Sequence, residues 1–342
     1  MDRGPLILYV ARRVALTGLM LFGLVVITFV VSNVAPSDPA ALAAGPDATP
    51  DMVAQVRREY GLDRPILTQF VAYVTGILRG DLGRSLVSTR TVAEDLSRYF
   101  PATLELVLLS MALGAGLGVP LGMLSAVMRN RAPDHATRFV AVSLVALPAF
   151  WFGILLQLAF SVWLEWLPTS GRLEVSTLPP PPLTNMILLD SLVAGQWDTF
   201  RDAAAHAVLP ALVLSFPCLA SILRVNRAEM IEVLASDYVT AARAHGIAPW
   251  RVVCVHALRN AMLPTLAMIG LRWGWMLGST VLVETVFDWP GIGLYAVSSA
   301  IAGDFKPVMG VTLLIGLNFM VANLVVDLLY GVLDPRLRGA RA

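Results

Sequence analysis

The sequence predicts an all-α, polytopic membrane protein with six transmembrane helices and both termini cytoplasmic. Three observations carry this. Hydrophobic residues fill 57% of the chain and charged residues only 14%, against about 45–50% and about 25% in soluble domains. Uncharged or nearly uncharged runs long enough to cross a bilayer recur along the chain. The arginines gather on alternate segments between those runs.

A helix rises about 1.5 Å per residue, so about 20 apolar residues cross the hydrocarbon. The runs that meet this measure are taken in order. Val14–Val34 carries no charge, Ala102–Met128 carries only Glu105, and Phe139–Trp163 carries none. Ala207–Leu223 is shorter and holds Pro210 and Pro217, which remove backbone donors and favour a kink. Ala261–Val283 carries Arg272, and Val308–Tyr330 carries Asp327. The first run follows Arg12 and Arg13, and Ala41-Leu42-Ala43 resembles a cleavage site. Its apolar core exceeds the roughly 7–15 residues of a signal peptide, so it reads as a retained helix.

Basic residues orient the chain. The N-tail, segments 129–138 and 224–260 and the C-tail hold fourteen; segments 164–206 and 284–307 hold three. Segment 35–101 holds seven but is long, and long loops cross largely regardless of charge. The positive side is the cytoplasmic one, so loops 35–101 and 164–206 face outward. Asp51–Tyr60 has helical composition, with Gly61, Pro65, Gly80 and Gly83 as turn signals after it. Pro179–Pro182 forms a stiff extended spacer. Loop 164–206 carries Glu165, Glu174, Asp190, Asp198 and Asp202, either as a solvated acidic surface or as a docking face for an external partner.

Several function classes drop out. A net charge of +1 gives no basic surface for nucleic acid. The only lysine is Lys306, in Asp304-Phe305-Lys306-Pro307, so no phosphate-binding Gly-x-x-x-x-Gly-Lys-Ser/Thr loop exists. His135, His206, His245 and His256 are scattered, and Cys218 and Cys254 make neither a disulfide framework nor a four-ligand zinc site. No metal ligands and no catalytic set emerge, so the chain is not expected to be an enzyme by itself.

Loop 224–260 is the most informative segment. Val233, Leu234 and Tyr238 give a short apolar face beside charged positions, and Gly246 stops the pattern. Such a helix suits docking into a groove of another protein, or lying on the membrane surface. Arg272 lies about 12 Å along its span from Pro264 at helical rise, where an arginine must face protein or water rather than lipid. It either lines a pathway or pairs with Asp327 or snorkels. Gly270, Gly274 and Gly278, like Gly114, Gly118 and Gly122, recur every four residues and allow close helix approach, within the subunit or between subunits.

The residues resemble a known family. Ala241-Ala242-x-x-x-Gly246 followed by Leu263-Pro264 is similar to the EAA motif of ABC importer permeases. Asp237-Tyr238-Val239, Ala242-Arg243-Ala244 and His256-Ala257-Leu258-Arg259-Asn260 resemble its dipeptide/oligopeptide/nickel branch. Pro36-Ser37-Asp38-Pro39, Gly61-Leu62-Asp63-Arg64-Pro65, Arg79-Gly80-Asp81-Leu82-Gly83-Arg84-Ser85 and Pro101-Ala102-Thr103-Leu104-Glu105-Leu106 follow the same pattern. So do Val283-Glu284-Thr285-Val286-Phe287, Trp289-Pro290-Gly291 and Leu333-Asp334-Pro335-Arg336. The long loop after the first helix is similar to the B-type subunit. Ser37 replaces a usual glycine, and Thr240 stands where the EAA glutamate would be.

The resemblance implies a type I ABC importer permease fold in a bacterial inner membrane. Residues 1–34 would be N-tail and first helix, 35–101 a large extracytoplasmic loop and 102–342 the permease core. It implies a C-type second permease, two ATPase subunits that bind the ATP and magnesium, and an extracytoplasmic binding protein. Asp237, Tyr238, Ala241, Ala242, Arg243 and Gly246 would belong to an ATPase-coupling helix, with Arg272, Gly274 and Glu284 as candidates for lining the path. Peptides are the implied substrate, with nickel, glutathione or another small solute as alternatives. A membrane scaffold without transport is the competing class, and it has no use for a motor-docking helix.

Overall fold

The computed structural model describes residues 4–34, 39–45, 47–59 and 61–333; the turn at 36–38 and the closing motif beyond Leu333 lie outside them. No β-strand occurs among the described residues. The first long helix, α1, is Gly4–Val34, followed by the short helices α2 (Pro39–Ala44), α3 (Pro50–Glu59) and α4 (Ile66–Leu78). Helix α3 meets the expectation for Asp51–Tyr60, with Tyr60 outside the described residues.

Helix α5 (Val92–Val127) begins at a capping box. The Thr91 hydroxyl accepts from the Glu94 amide, and the Glu94 carboxylate accepts from the Thr91 amide. A single third span over Phe139–Trp163 does not form. Two helices, α6 (Ala132–Ala146) and α7 (Ala149–Gln157, continued by a π-helical turn Leu158–Trp163), meet at 102°. Pro148 is the physical reason. It lacks an amide hydrogen and holds Leu147 in extended backbone, at φ −89° and ψ 133°, so the helix ends there.

After α8 (Ile187–Val193), α9 runs unbroken from Trp197 to Leu234 through Pro210 and Pro217. It is longer than the run Ala207–Leu223 that hydropathy marks. Helix α10 is Asp237–Ala244; a single turn, α11 (Pro249–Arg251), and a π-helical turn Val252–Ala257 lead into α12 (Leu258–Val286). Helices α13 (Ile292–Ile301) and α14 (Phe305–Leu333) complete the chain. Among the described residues, five helices are long and apolar enough to cross a membrane, and six crossings result if the bent α6–α7 pair is one broken span.

The glycine stripes are the seams of the bundle. A Cβ on Gly114, Gly118 or Gly122 would lie 3.0, 3.0 and 2.8 Å from Cys218, Ile222 and the Leu223 carbonyl. Both sets of numbers rise together, so α5 and α9 run parallel in close contact. Gly270 and Gly274 meet Val326 and Phe319 of the antiparallel α14, whereas Gly278 has open space around it. Leu106, Val107, Leu209, Val213, Leu277 and Phe287 form the largest core where α5, α9 and α12 join.

The connecting segments sort to two ends. At one end Ser85 is bonded to Asp304, Glu105 to Arg172 and Leu188, and Gly171 to Phe287. Ser125, Asp134, Arg227 and helix α10 stand at the other.

Candidate functional site

Helix α10 is short because its sequence permits little more. Ser236 precedes it in extended backbone, and Gly246 adopts φ +73° just after it. The amides of His245, Gly246 and Ile247 return to carbonyls of Ala241, Arg243 and Ala242, closing the last turn as helix C-caps do. Val239 is fully buried and anchors the helix. Asp237, Tyr238, Ala241, Arg243 and Gly246 are exposed, and Ala242 is half-buried. The six residues picked out by the resemblance thus lie on one exposed segment.

Tyr238 ties that segment to the transmembrane bundle. Its hydroxyl accepts from Asn260 Nδ2 at 2.6 Å and donates to the His256 carbonyl at 3.4 Å. Asn260 stands in the first turn of α12. On the other side, α9 passes directly into α10. A cleft of about 280 Å³ behind α10 is lined by Arg129, Leu234, Arg243 and Val253. Trp250 is 60% exposed, with the Arg251 guanidinium 5.2 Å from its ring centre. The sequence motif includes Val239 without marking it as the buried anchor, and sequence reasoning missed Trp250, for which an aromatic after Pro249 was the available signal.

Behind α10, Asp134 is fully buried and accepts four donors. Arg227 Nε and Nη2 stand at 2.7 and 2.8 Å, the Ser125 hydroxyl at 2.6 Å and the Asn130 amide at 2.9 Å. This bidentate pair fastens α9 to the first turn of α6.

At the opposite end Glu284 sits fully enclosed. Oε1 accepts from the Thr103 hydroxyl at 2.7 Å, and Oε2 accepts from the Gly293 and Leu294 amides at 2.6 and 3.1 Å. Those amides open α13, so Glu284 is the carboxylate cap of that helix and its link to α5. Gly291 is required here, because a Cβ would lie 2.4 Å from Thr103 Oγ1. Glu284, a candidate for lining the path, holds α13 to α5 from within the bundle. Gly274, also a candidate for the path, is buried against Phe319.

Glu105 is bound by Arg172 from loop 164–206 and by the Leu188 amide at 2.7 Å, while Arg172 also lies 5.4 Å from the Trp289 ring centre. Asp190 is 2% exposed and accepts from the amides of Leu183, Thr184 and Asn185 and from the Thr184 hydroxyl. Burial pushes its carboxyl up, but these donors outweigh burial and hold it below the usual carboxylate range. Asp190 therefore folds the loop and is lost to an acidic docking face; Glu165, Glu174 and Asp198 remain exposed.

Arg272 is half-buried on α12, and among the described residues it makes no hydrogen bond or ion pair. The side chain of Asp327 lies outside the described residues. An arginine so placed carries donors that face protein or water.

The family model for the binding-protein-dependent transport system inner membrane component matches residues 118–339, and the model for the N-terminal part of such membrane components matches 6–107. The chain is 43% identical to the probable D,D-dipeptide transport system permease protein DdpB of Escherichia coli K12, over 93% of this chain and 94% of that one. It is 40% identical to the dipeptide transport system permease protein DppB of the same strain, over 96% and 98%. It is 39% identical to the glutathione transport system permease protein GsiC of Escherichia coli O6:H1, over 96% and 98%. This chain belongs to the family of binding-protein-dependent transport system inner membrane components.

Proposed function

We propose that the chain is the B-type permease subunit of an ABC importer for short peptides. It forms half of a translocation path with a C-type partner in a bacterial inner membrane. The 43% and 40% identities to dipeptide permeases, along nearly the whole of each chain, carry the substrate class. Glutathione is itself a tripeptide, so the relative at 39% points to the same chemistry and gives the second reading.

In this reading the termini and α10 are cytoplasmic, and segments 35–101 and 164–206 face an extracytoplasmic binding protein. Helix α10, with Tyr238 fastened to Asn260 and Val239 buried, is the coupling helix seated in one of two ATPase subunits. Those subunits bind and hydrolyse ATP with magnesium. Their closure draws the two coupling helices together, and the spans rock between inward- and outward-facing states. Arg272 lines the path and meets the substrate carboxylate.

The experiment is co-purification of the assembled complex, followed by ATP-driven uptake of a radiolabelled dipeptide into proteoliposomes containing the binding protein. Uptake competed by unlabelled dipeptide but not by glutathione is expected. Glutathione alone competing selects the second reading. Extracts that never contain an ATPase subunit overturn the importer reading.

A further inference from the structure

Helix α4, inside segment 35–101, runs from Ile66 to Leu78 without a charge. Pro65 opens it, and the Gly80 and Asp81 amides return to the Ile77 and Gly76 carbonyls at its close. Its 13 residues make about 20 Å at helical rise, too short for a bilayer core of about 30 Å. One side carries Leu67, Val71, Val74 and Leu78, spaced four, three and four residues apart, which is a single helical stripe. Leu67, Val71 and Leu78 are 75%, 61% and 81% exposed. The next strip round the helix holds the exposed Thr68 and Thr75.

The aromatic contacts of α4 fix its depth. The Phe70 ring lies 6.4 Å from the Phe22 ring and 5.2 Å from the Phe29 ring of α1. Tyr73 stacks on Phe29 at 5.7 Å, and its hydroxyl stands 3.3 Å from Thr28 Oγ1. The apolar span of α1 is Arg12–Ser32. Phe29 and Phe22 stand three and ten residues inside its Ser32 limit, roughly 5 and 15 Å at helical rise. A ring held between them is in hydrocarbon rather than in water. Phe22 is itself 52% exposed, so the lipid-facing surface of α1 continues onto α4. An apolar stripe at that depth, turned away from the bundle, has acyl chains for its neighbours.

We propose that α4 is a membrane-seated helix rather than part of a water-facing loop. Its Leu67, Val71 and Leu78 stripe lies among the acyl chains of the leaflet at the Val34 end of α1, and Thr68 and Thr75 face the headgroups and water. That leaflet is the outer one in the orientation proposed above. The turn after α4 leads into the segment whose Ser85 hydroxyl and Leu86 and Val87 amides donate to the Asp304 carboxylate, just ahead of α14. The lipid surface at one end and Asp304 at the other thus hold segment 79–87 between them.

The test places a photoreactive benzophenone side chain, one position at a time, at Leu67, Val71, Thr68 and Thr75. All four are exposed, so the change leaves the fold intact. The complex that co-purifies with the chain is reconstituted in vesicles of phosphatidylethanolamine and phosphatidylglycerol and irradiated. Adducts are then identified by mass spectrometry. Lipid adducts at Leu67 and Val71 are expected several-fold above those at Thr68 and Thr75. Equal lipid yields at all four positions overturn the proposal. So do adducts at Leu67 and Val71 to another protein chain in place of lipid, which would make the stripe a subunit interface. The readout needs no substrate, so it stands whether or not the vesicles take up dipeptide.

Discussion

Replacing Asp134 by alanine tests how the α10 end of the bundle is held together. The substitution removes an acceptor of four donors, of which Arg227 Nε keeps the Ser125 hydroxyl at 3.1 Å, and leaves Arg227, whose side chain is 19% exposed, without its counter-ion. Breaking a buried pair from one side costs about 3–5 kcal/mol. The Arg227 head retains some water, which places Asp134→Ala near the lower end, about 3 kcal/mol. Asp134→Asn keeps one acceptor oxygen and should lose about half of that. The assay is thermal unfolding of the detergent-solubilised complex, run as a double-mutant cycle with Arg227→Met. The cycle should return a coupling of about 1–3 kcal/mol. In vesicles, the same variants should hydrolyse ATP with less peptide imported per ATP, because α9 is no longer fixed to the first turn of α6. A loss below about 1 kcal/mol, the value of an exposed pair, with zero coupling, would refute the reasoning.

Four further outcomes follow from the same geometry. Glu284→Ala removes the acceptor of the Gly293 and Leu294 amides and of the Thr103 hydroxyl, so it should lower stability by about 1–3 kcal/mol; a melting midpoint equal to wild type would remove its role as a cap. Gly122→Ala sets a Cβ 2.8 Å from the Leu223 carbonyl, a backbone atom that cannot swing aside; the α5–α9 seam should weaken by about 1–3 kcal/mol, read from the same melts. Arg272→Gln should reduce peptide uptake with assembly intact, and unchanged uptake would end its assignment to the path. Asp190 has a lowered folded pKa, so its contribution is complete above the unfolded value of about 3.9 and fades as pH falls through the folded one. Amide exchange protection at Leu183, Thr184 and Asn185 should therefore hold from pH 8 to 5 and fail only below about pH 4; loss between pH 7 and 5 would contradict this.

What the sequence made legible follows the range of the forces involved. Hydropathy reports a local property, transfer into hydrocarbon, and the apolar runs accordingly fall on the long helices. It cannot see where a helix leaves the membrane and continues in water, so Ala207–Leu223 underestimates α9 by ten residues at its start and eleven at its end. Pro148 was visible in the sequence, but an uninterrupted apolar stretch concealed the stop it imposes on α6. The glycine spacings marked seams correctly in kind, while only coordinates assign Gly114–Gly122 to α9 and Gly270 and Gly274 to α14. Ion pairs were the least legible. Asp134 with Arg227 and Glu105 with Arg172 join residues 93 and 67 positions apart, and neither carries a local pattern. Glu284 was conspicuous as a charge near a span, yet its role depends on Thr103, far away in sequence.

These long-range pairs bear on how force would pass through the proposed machine. Helix α9 has 38 residues, roughly 57 Å at helical rise, and reaches from loop 164–206 to the residue pair that precedes α10. Its two ends are gripped differently. Near its start, Asp202 accepts from the Glu174 amide at 2.9 Å and the Thr199 hydroxyl donates to the Leu178 carbonyl at 3.4 Å, both in loop 164–206. Near its finish, Arg227 and Asn226 bind Asp134 on one side and Thr265 of α12 on the other, both in buried surroundings. Motion delivered to α10 therefore enters a block made of α5, α6, α9 and α12 rather than one helix alone. Helix α7 belongs to the block despite the bend at Pro148: Gln157 Nε2 donates to the Val286 carbonyl of α12 at 3.1 Å, and the Phe152 ring lies 5.2 Å from that of Phe216 on α9. A rocking block would therefore carry α7 with it, the bend being bridged by α9 and α12.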